Sequence, residues 1–184
     1  MSERVRLVNQ QMAFSQSHLQ AARNGEAFMR RCQLQACKLQ MYLMIHAYLA
    51  ELAERSNLKW ELLLGDVDNA LELFGHQLQQ QNKVSSDFAH LAELIRTQSP
   101  WPQWIELAKS AFFIGKNDLN SPLLAEASAP SPDNKEIGLI ASSNAAPKLS
   151  ILTAPADIQI DLLSQMLDAF TDLIQQQREN KIEF

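Results

Sequence analysis

Glycine and cysteine are scarce in this chain, and no long apolar run occurs. Five glycines in 184 residues leave few places where bare backbone can cradle a phosphate, and neither a Gly-rich loop nor a Gly-x-Ser-x-Gly elbow is present. No βαβ alternation supports a dinucleotide site. The two cysteines, Cys32 and Cys37, stand five positions apart. On a helix that spacing turns them about 140° away from each other, so they do not pair. Two reduced thiols in a cytoplasmic protein are expected. The apolar run at 41–50 is interrupted by His46 and is too short for a bilayer. The opening Met1-Ser2-Glu3-Arg4-Val5-Arg6 lacks the apolar stretch of a signal peptide. No membrane partner is therefore expected.

Charge is short on one side. The net charge is −5, but residues 1–59 hold eight Lys/Arg against four Asp/Glu, while residues 60–184 hold eight against seventeen. A basic half followed by an acidic half suggests basic helices packing beside acidic ones. Nucleic-acid binding through the basic N-terminal half is the weaker alternative, because no aromatic stacking set lies among the basic residues and the acidic half repels phosphate.

What is abundant is apolar residues at helical spacing. From Gln35 to Ala53 the only polar side chains are Gln35, Lys38, Gln40, His46 and Glu51, with Tyr42 and Tyr48 amphipathic. Leu34, Cys37, Met41, Met44, Ile45, Tyr48 and Leu52 recur every three or four positions. Leu39, Leu43, Ala47 and Leu49 occupy the opposite face. A helix apolar all round must be surrounded, so this segment reads as the central post of a bundle. Its helix spans about Glu26 to Arg55 and, at 1.5 Å per residue, runs about 45 Å. Ser56-Asn57 closes it.

A first helix from about Glu3 to Arg23 carries two apolar stripes. One is Val5, Val8, Met12, Leu19 and Ala22, with Ser15 in one of its positions. The other is Leu7, Phe14, His18 and Ala21. Two stripes predict two neighbours. Asn24-Gly25 supplies a stop through the left-handed conformation both residues tolerate, making helices 1 and 2 an antiparallel hairpin. A third helix covers roughly Lys59 to Gln81, weakened by Gly65 and Gly75, and Asp66 offers a fresh start that would split it. Ser85 or Ser86 caps a fourth, from Asp87 to Thr97. Ser99-Pro100-Trp101-Pro102 opens a fifth that ends near Ile114.

Residues 116–155 hold five prolines among many Ala, Ser and Asn and read as a loop or linker. Within it, Ile137-Gly138-Leu139-Ile140 and Leu149-Ser150-Ile151-Leu152 either pair as a small β-hairpin or pin the loop to the bundle. A last helix runs from Pro155 to about Asn180, facing inward through Ile158, Leu162, Leu163, Met166, Phe170, Leu173 and Ile174. The whole is an all-α single domain of five to six helices.

Catalytic equipment is thin. The Glu-x-x-His pairs of a di-iron bundle are missing, and no two of His18, His46, His76 and His90 stand at i, i+4. Glu72 and His76 share a helix face, a pairing common by chance. The Arg-then-His spacing of many small helical ribonucleases is also missing. No catalytic residue, metal or cofactor is expected. Two groups still merit attention. Asn9, His46 and Tyr48 lie on predicted buried faces, where an amide, an imidazole and a phenol need partners; they mark a candidate small-molecule pocket. Trp101 and Trp104 are candidate interface anchors, because aromatics dominate interface hot spots, but at i, i+3 beside a helix start they read first as core. Eighteen glutamines suit helix surfaces and helix–helix contacts.

Val8-Asn9-Gln10-Gln11-Met12-Ala13-Phe14 resembles the Asn-Gln-x-apolar-x-Phe opening of a family of small helical proteins from pseudomonads and related gammaproteobacteria, a domain of unknown function. Leu39 to Leu52 resembles that family's second helix, and Leu91 to Leu107, with Pro102 and Trp104, resembles its later Pro/Trp segment. Gln11 and Ala13 stand where that pattern carries Lys and Tyr. The resemblance implies a bacterial cytosolic helical protein and supplies no activity.

The leading expectation is a non-enzymatic helical interaction or scaffold protein, binding another protein or itself as a homodimer. A small-molecule binder or enzyme at Asn9, His46 and Tyr48 is the alternative.

Overall fold

The computed structural model describes residues 2–59, 66–112, 151 and 154–179, with backbone alone at 108–112. Six α-helices account for nearly all of them: α1 Glu3–Asn24, α2 Ala27–Arg55, α3 Val67–Gln80, α4 Ser86–Thr97, α5 Gln103–Phe112 and α6 Ala156–Glu179. The protein is an all-α bundle, and among the described residues no strand occurs. Nor, among them, is any helix long and apolar enough to cross a membrane. Of the expected loop at 116–155 only residues 151, 154 and 155 are described, and the expected hairpin pairing lies outside the described residues.

Helix ends follow local chemistry. Ser2 caps α1 by accepting from the Val5 amide at 3.3 Å, and Ser85 caps α4 by accepting from Phe88 at 3.3 Å. Asp66 accepts from the Asp68 amide and caps α3, which begins at Val67; the part expected at 60–65 falls outside the described residues. Asn57, at φ 52°, turns the chain out of α2 while Leu58 donates back to the Ala53 carbonyl. The break after α1 differs from expectation. Gly25 is extended (φ −86°, ψ 153°), not left-handed. It is small for another reason: an added Cβ would sit 3.1 Å from the Ala21 carbonyl oxygen and 3.3 Å from the Arg30 amide, where the two helix ends crowd together.

α1 and α2 form the expected antiparallel hairpin. Ser2 bonds to Glu54 at one end, and His18 Nδ1 lies 2.7 Å from Gln33 Oε1 toward the other. α6 packs across both helices, α5 lies along α2, and α3 and α4 complete the wrap. Trp104 stands 5.0 Å from Phe170, which meets Tyr48 edge-on at 5.3 Å, tying α5, α6 and α2 into one core. Ile151 is buried and donates its N–H to Gln103 Oε1 at 3.3 Å, so the chain is pinned to α5 just before α6.

Two core expectations need correction. Ile158 is exposed; Ile160 and Leu163 take the inward positions, because the buried face of α6 is set by its packing on α1 and α2 farther along, and Ile158 is out of phase with it. The central post is surrounded over only part of its length. From Met44 to Ala53 every residue of α2 is buried, but Leu39 is exposed and Leu43 half-buried.

Candidate functional site

Glu51 is the one acid in the densest part of the core, and it is only 1 % exposed. A lone carboxylate there costs several kcal/mol unless compensated. The compensation comes from two guanidinium groups. Arg55, one turn along α2, donates from Nη2 to Oε1. Arg178, from α6, donates from Nε to Oε1 at 3.2 Å and from Nη2 to Oε2 at 2.7 Å. This two-point grip is the geometry that favours arginine over lysine for buried carboxylates.

The cluster extends both ways. Arg178 Nη1 reaches Asn9 Oδ1 on α1 at 2.8 Å. Arg55 Nη1 reaches Asp87 Oδ2 on α4 at 3.4 Å. The Asp87 carbonyl accepts from Gln177 Nε2 at 3.1 Å, and Gln177 Oε1 accepts from the Tyr48 hydroxyl. One continuous polar chain therefore joins α1, α2, α4 and α6.

Of the three residues read from the sequence as a pocket, two sit at opposite ends of this chain. Asn9 is exposed, not buried; its amide is an outer contact of Arg178. Tyr48 is buried and held by Gln177. His46 is buried but two residues from Tyr48, hence on another side of α2, where its ring meets Tyr42 at 4.6 Å. The three do not converge. A concavity of about 430 Å³ does open beside the chain, lined by Ser86, Asp87, His90, Gln176 and Gln177, but the Gln177 amide is already engaged at both its oxygen and its nitrogen. Trp101 and Trp104 are both buried and pack with Phe170, so they belong to the core and offer no surface.

Glu51, Arg55, Asp87, Gln177 and Arg178 were not singled out by the sequence. One signal was available: an acid inside an apolar helix with Arg at i+4. The rest of the cluster comes from α4 and α6. The charge imbalance also has a structural use, because Arg30 and Arg55 from the basic half pair with Asp157 at 2.9 Å and Asp87 at 3.4 Å from the acidic half.

Burial lifts the Tyr48 hydroxyl well above its ordinary 10; Arg55 and Arg178 oppose the shift, and Glu51 and Asp87 add to it. Burial likewise pushes the Cys37 thiol up to about 12, with the Lys38 charge opposing. Both groups are held protonated, poor starting points for a base or nucleophile. The sign of the pH effect follows. The unfolded chain ionises Cys37 near 9.0 and Tyr48 near 10.0, while the fold keeps both protons. Stability is then whole below pH 9 and falls as pH rises toward 12. Urea midpoints measured from pH 7 to about 10.5 should decline above pH 9. Over the same series a thiol reagent should label exposed Cys32 at once and buried Cys37 only on unfolding. A midpoint flat across that range would refute the assignment.

Among the described residues no group of three His, Cys, Asp or Glu is placed to hold a metal ion. The class defined by these features is a helical bundle closed by a buried polar clamp. No family model, curated protein or solved structure matches the chain.

Proposed function

We propose that this protein is a non-enzymatic helical interaction protein, and that its binding surface is the outer edge of the α1–α2 hairpin. One observation carries the reading. Phe28, Met29, Phe14 and Leu39 are 75 %, 50 %, 44 % and 39 % exposed, and all four lie on these two helices. Apolar side chains gathered on one face mark an interaction surface more often than they occur idly. The polar clamp, by contrast, is engaged with itself: Glu51 is gripped by two arginines, and the Tyr48 hydroxyl holds its proton. That supports a role in holding four helices together, not in chemistry.

A photo-crosslinking amino acid at position 39 tests the proposal in cells. It should yield a discrete adduct. The same group at position 84, where Val84 is almost fully exposed away from the hairpin, should not. Equal or absent adducts at the two positions would refute the reading.

A further inference from the structure

The bare face has an internal pattern. On α2, Met29, Cys32, Ala36, Leu39 and Leu43 follow each other at steps of three, four, three and four residues. On α1, Leu7, Gln11, Phe14, His18 and Ala21 do the same in the opposite phase. This is the 3.5-residue repeat of helices that pack along a shared seam. The α2 row continues to His46 and Ala50, which are buried under the protein's own helices; from Leu43 back to Met29 it is half-buried or exposed.

The two rows lie side by side. Cys37 donates to the Ser15 carbonyl at 3.4 Å, and His18 faces Gln33. This antiparallel register sets Phe14 close to Leu39 and Ala21 close to Cys32. Both rows are turned from α6, which meets α1 through Met12 and Arg23 and α2 through Arg30. The result is one stripe, two helices wide and roughly 21 Å long at 1.5 Å per residue.

We infer that the occupant of this stripe is a second copy of the same chain, the two hairpins meeting seam to seam as a four-helix arrangement. The inference rests on the interaction reading above and names its partner. Three features favour a copy over an unrelated protein. First, the row positions themselves (Leu7, Gln11, Phe14, His18 and Ala21 on α1; Met29, Cys32, Ala36, Leu39 and Leu43 on α2) hold no Asp, Glu, Lys or Arg, although one residue in five of the chain is charged. Two molecules each carrying −5 can approach along these rows without like charges meeting there. Second, two antiparallel rows of equal length are self-complementary under a twofold axis. Third, the area suffices. Leu7, Phe14, Phe28, Met29 and Leu39 leave roughly 450 Å² of apolar side chain in solvent. A standard interface takes about 800 Å² per partner, a little over half of it apolar, and the flanking glutamines and serine supply the rest.

Sedimentation equilibrium of the full chain, from about 1 to about 200 µM, tests this. The mass should rise from 20.8 kDa toward twice that value. Phe14→Glu with Leu39→Glu should weaken association at least ~100-fold and hold the chain at monomer mass. Both sites are exposed, so the variant's far-UV dichroism and its melt at the lowest concentration should stay unchanged. The milder Phe14→Ser with Leu39→Ser should move in the same direction. Val84→Glu should associate like the parent. A parent chain monomeric throughout, or a Glu variant that still doubles its mass, would overturn the inference. If the parent is monomeric yet position 39 crosslinks a different protein, the interaction reading stands and the second copy falls.

Discussion

Leu52→Asp should leave the chain without a cooperative melt. Leu52 is fully buried near the end of α2, within an unbroken run of buried residues from Met44 to Ala53. The substitution removes a core side chain, worth about 2–5 kcal/mol when replaced by something small, and installs a carboxyl group in its place. Ionised, that group bears the desolvation cost of an unpaired buried charge; protonated, it still needs hydrogen-bond partners. Against a total stability of about 5–15 kcal/mol, the combined loss is enough to unfold a domain of this size. The control is on the same helix. Leu39→Asp makes the same chemical change at an exposed site and, at low concentration, should shift stability by no more than about 0.5 kcal/mol. Thermal melts followed by far-UV dichroism distinguish the two. An undiminished melt in Leu52→Asp would remove α2 from the centre of the bundle.

Glu51→Gln should produce the second-largest loss, about 3–5 kcal/mol in urea denaturation, the range typical of removing one partner from a buried ion pair. The side chain keeps its shape and loses its charge. Arg178 and Arg55, both largely buried, are then left with a neutral acceptor for their charge-assisted bonds. The test has a second arm. Glu51→Met combined with Arg178→Met removes the acid together with the partner that depends on it, while Arg55 keeps Asp87. That pair should recover most of the loss, ending within about 1–2 kcal/mol of the parent, because apolar replacement of a buried ion pair avoids the desolvation cost of its charges. A Glu51→Gln variant that loses less than about 1 kcal/mol would mean that the clamp is not holding α6 against α2.

The clamp and the bare stripe differ in how far the sequence revealed them. The stripe was half visible. Leu7, Phe14, His18 and Ala21 stood out as a second row on the first helix and predicted a second neighbour. Its α2 half was hidden because α2 looked apolar all round, and periodicity reports that a face is apolar without reporting what covers it. The same row is buried at His46 and Ala50 and open at Leu39. The clamp was almost invisible. Glu51 and Arg55 are one turn apart, but Arg178 lies 127 residues from Glu51, and Gln177 lies 129 from Tyr48. Asn9 drew attention as a buried amide and proved to be an exposed ligand of Arg178, since successive residues of a helix point about 100° apart and Asn9 is turned off the face that buries Val8.

What the sequence determined alone was local: helical periodicity, the caps at Ser2, Asp66 and Ser85, the turn at Asn57, and the proline-led entry to α5. These depend on residues within a turn or two of each other, whose geometry the backbone dictates. Tertiary structure alone decided which faces meet. It turned Ile158 outward, gathered Glu51 with its two arginines, and left one row of α2 in solvent. Those outcomes depend on how whole helices cross, and that is set by the summed packing of every face at once, which no local spacing records.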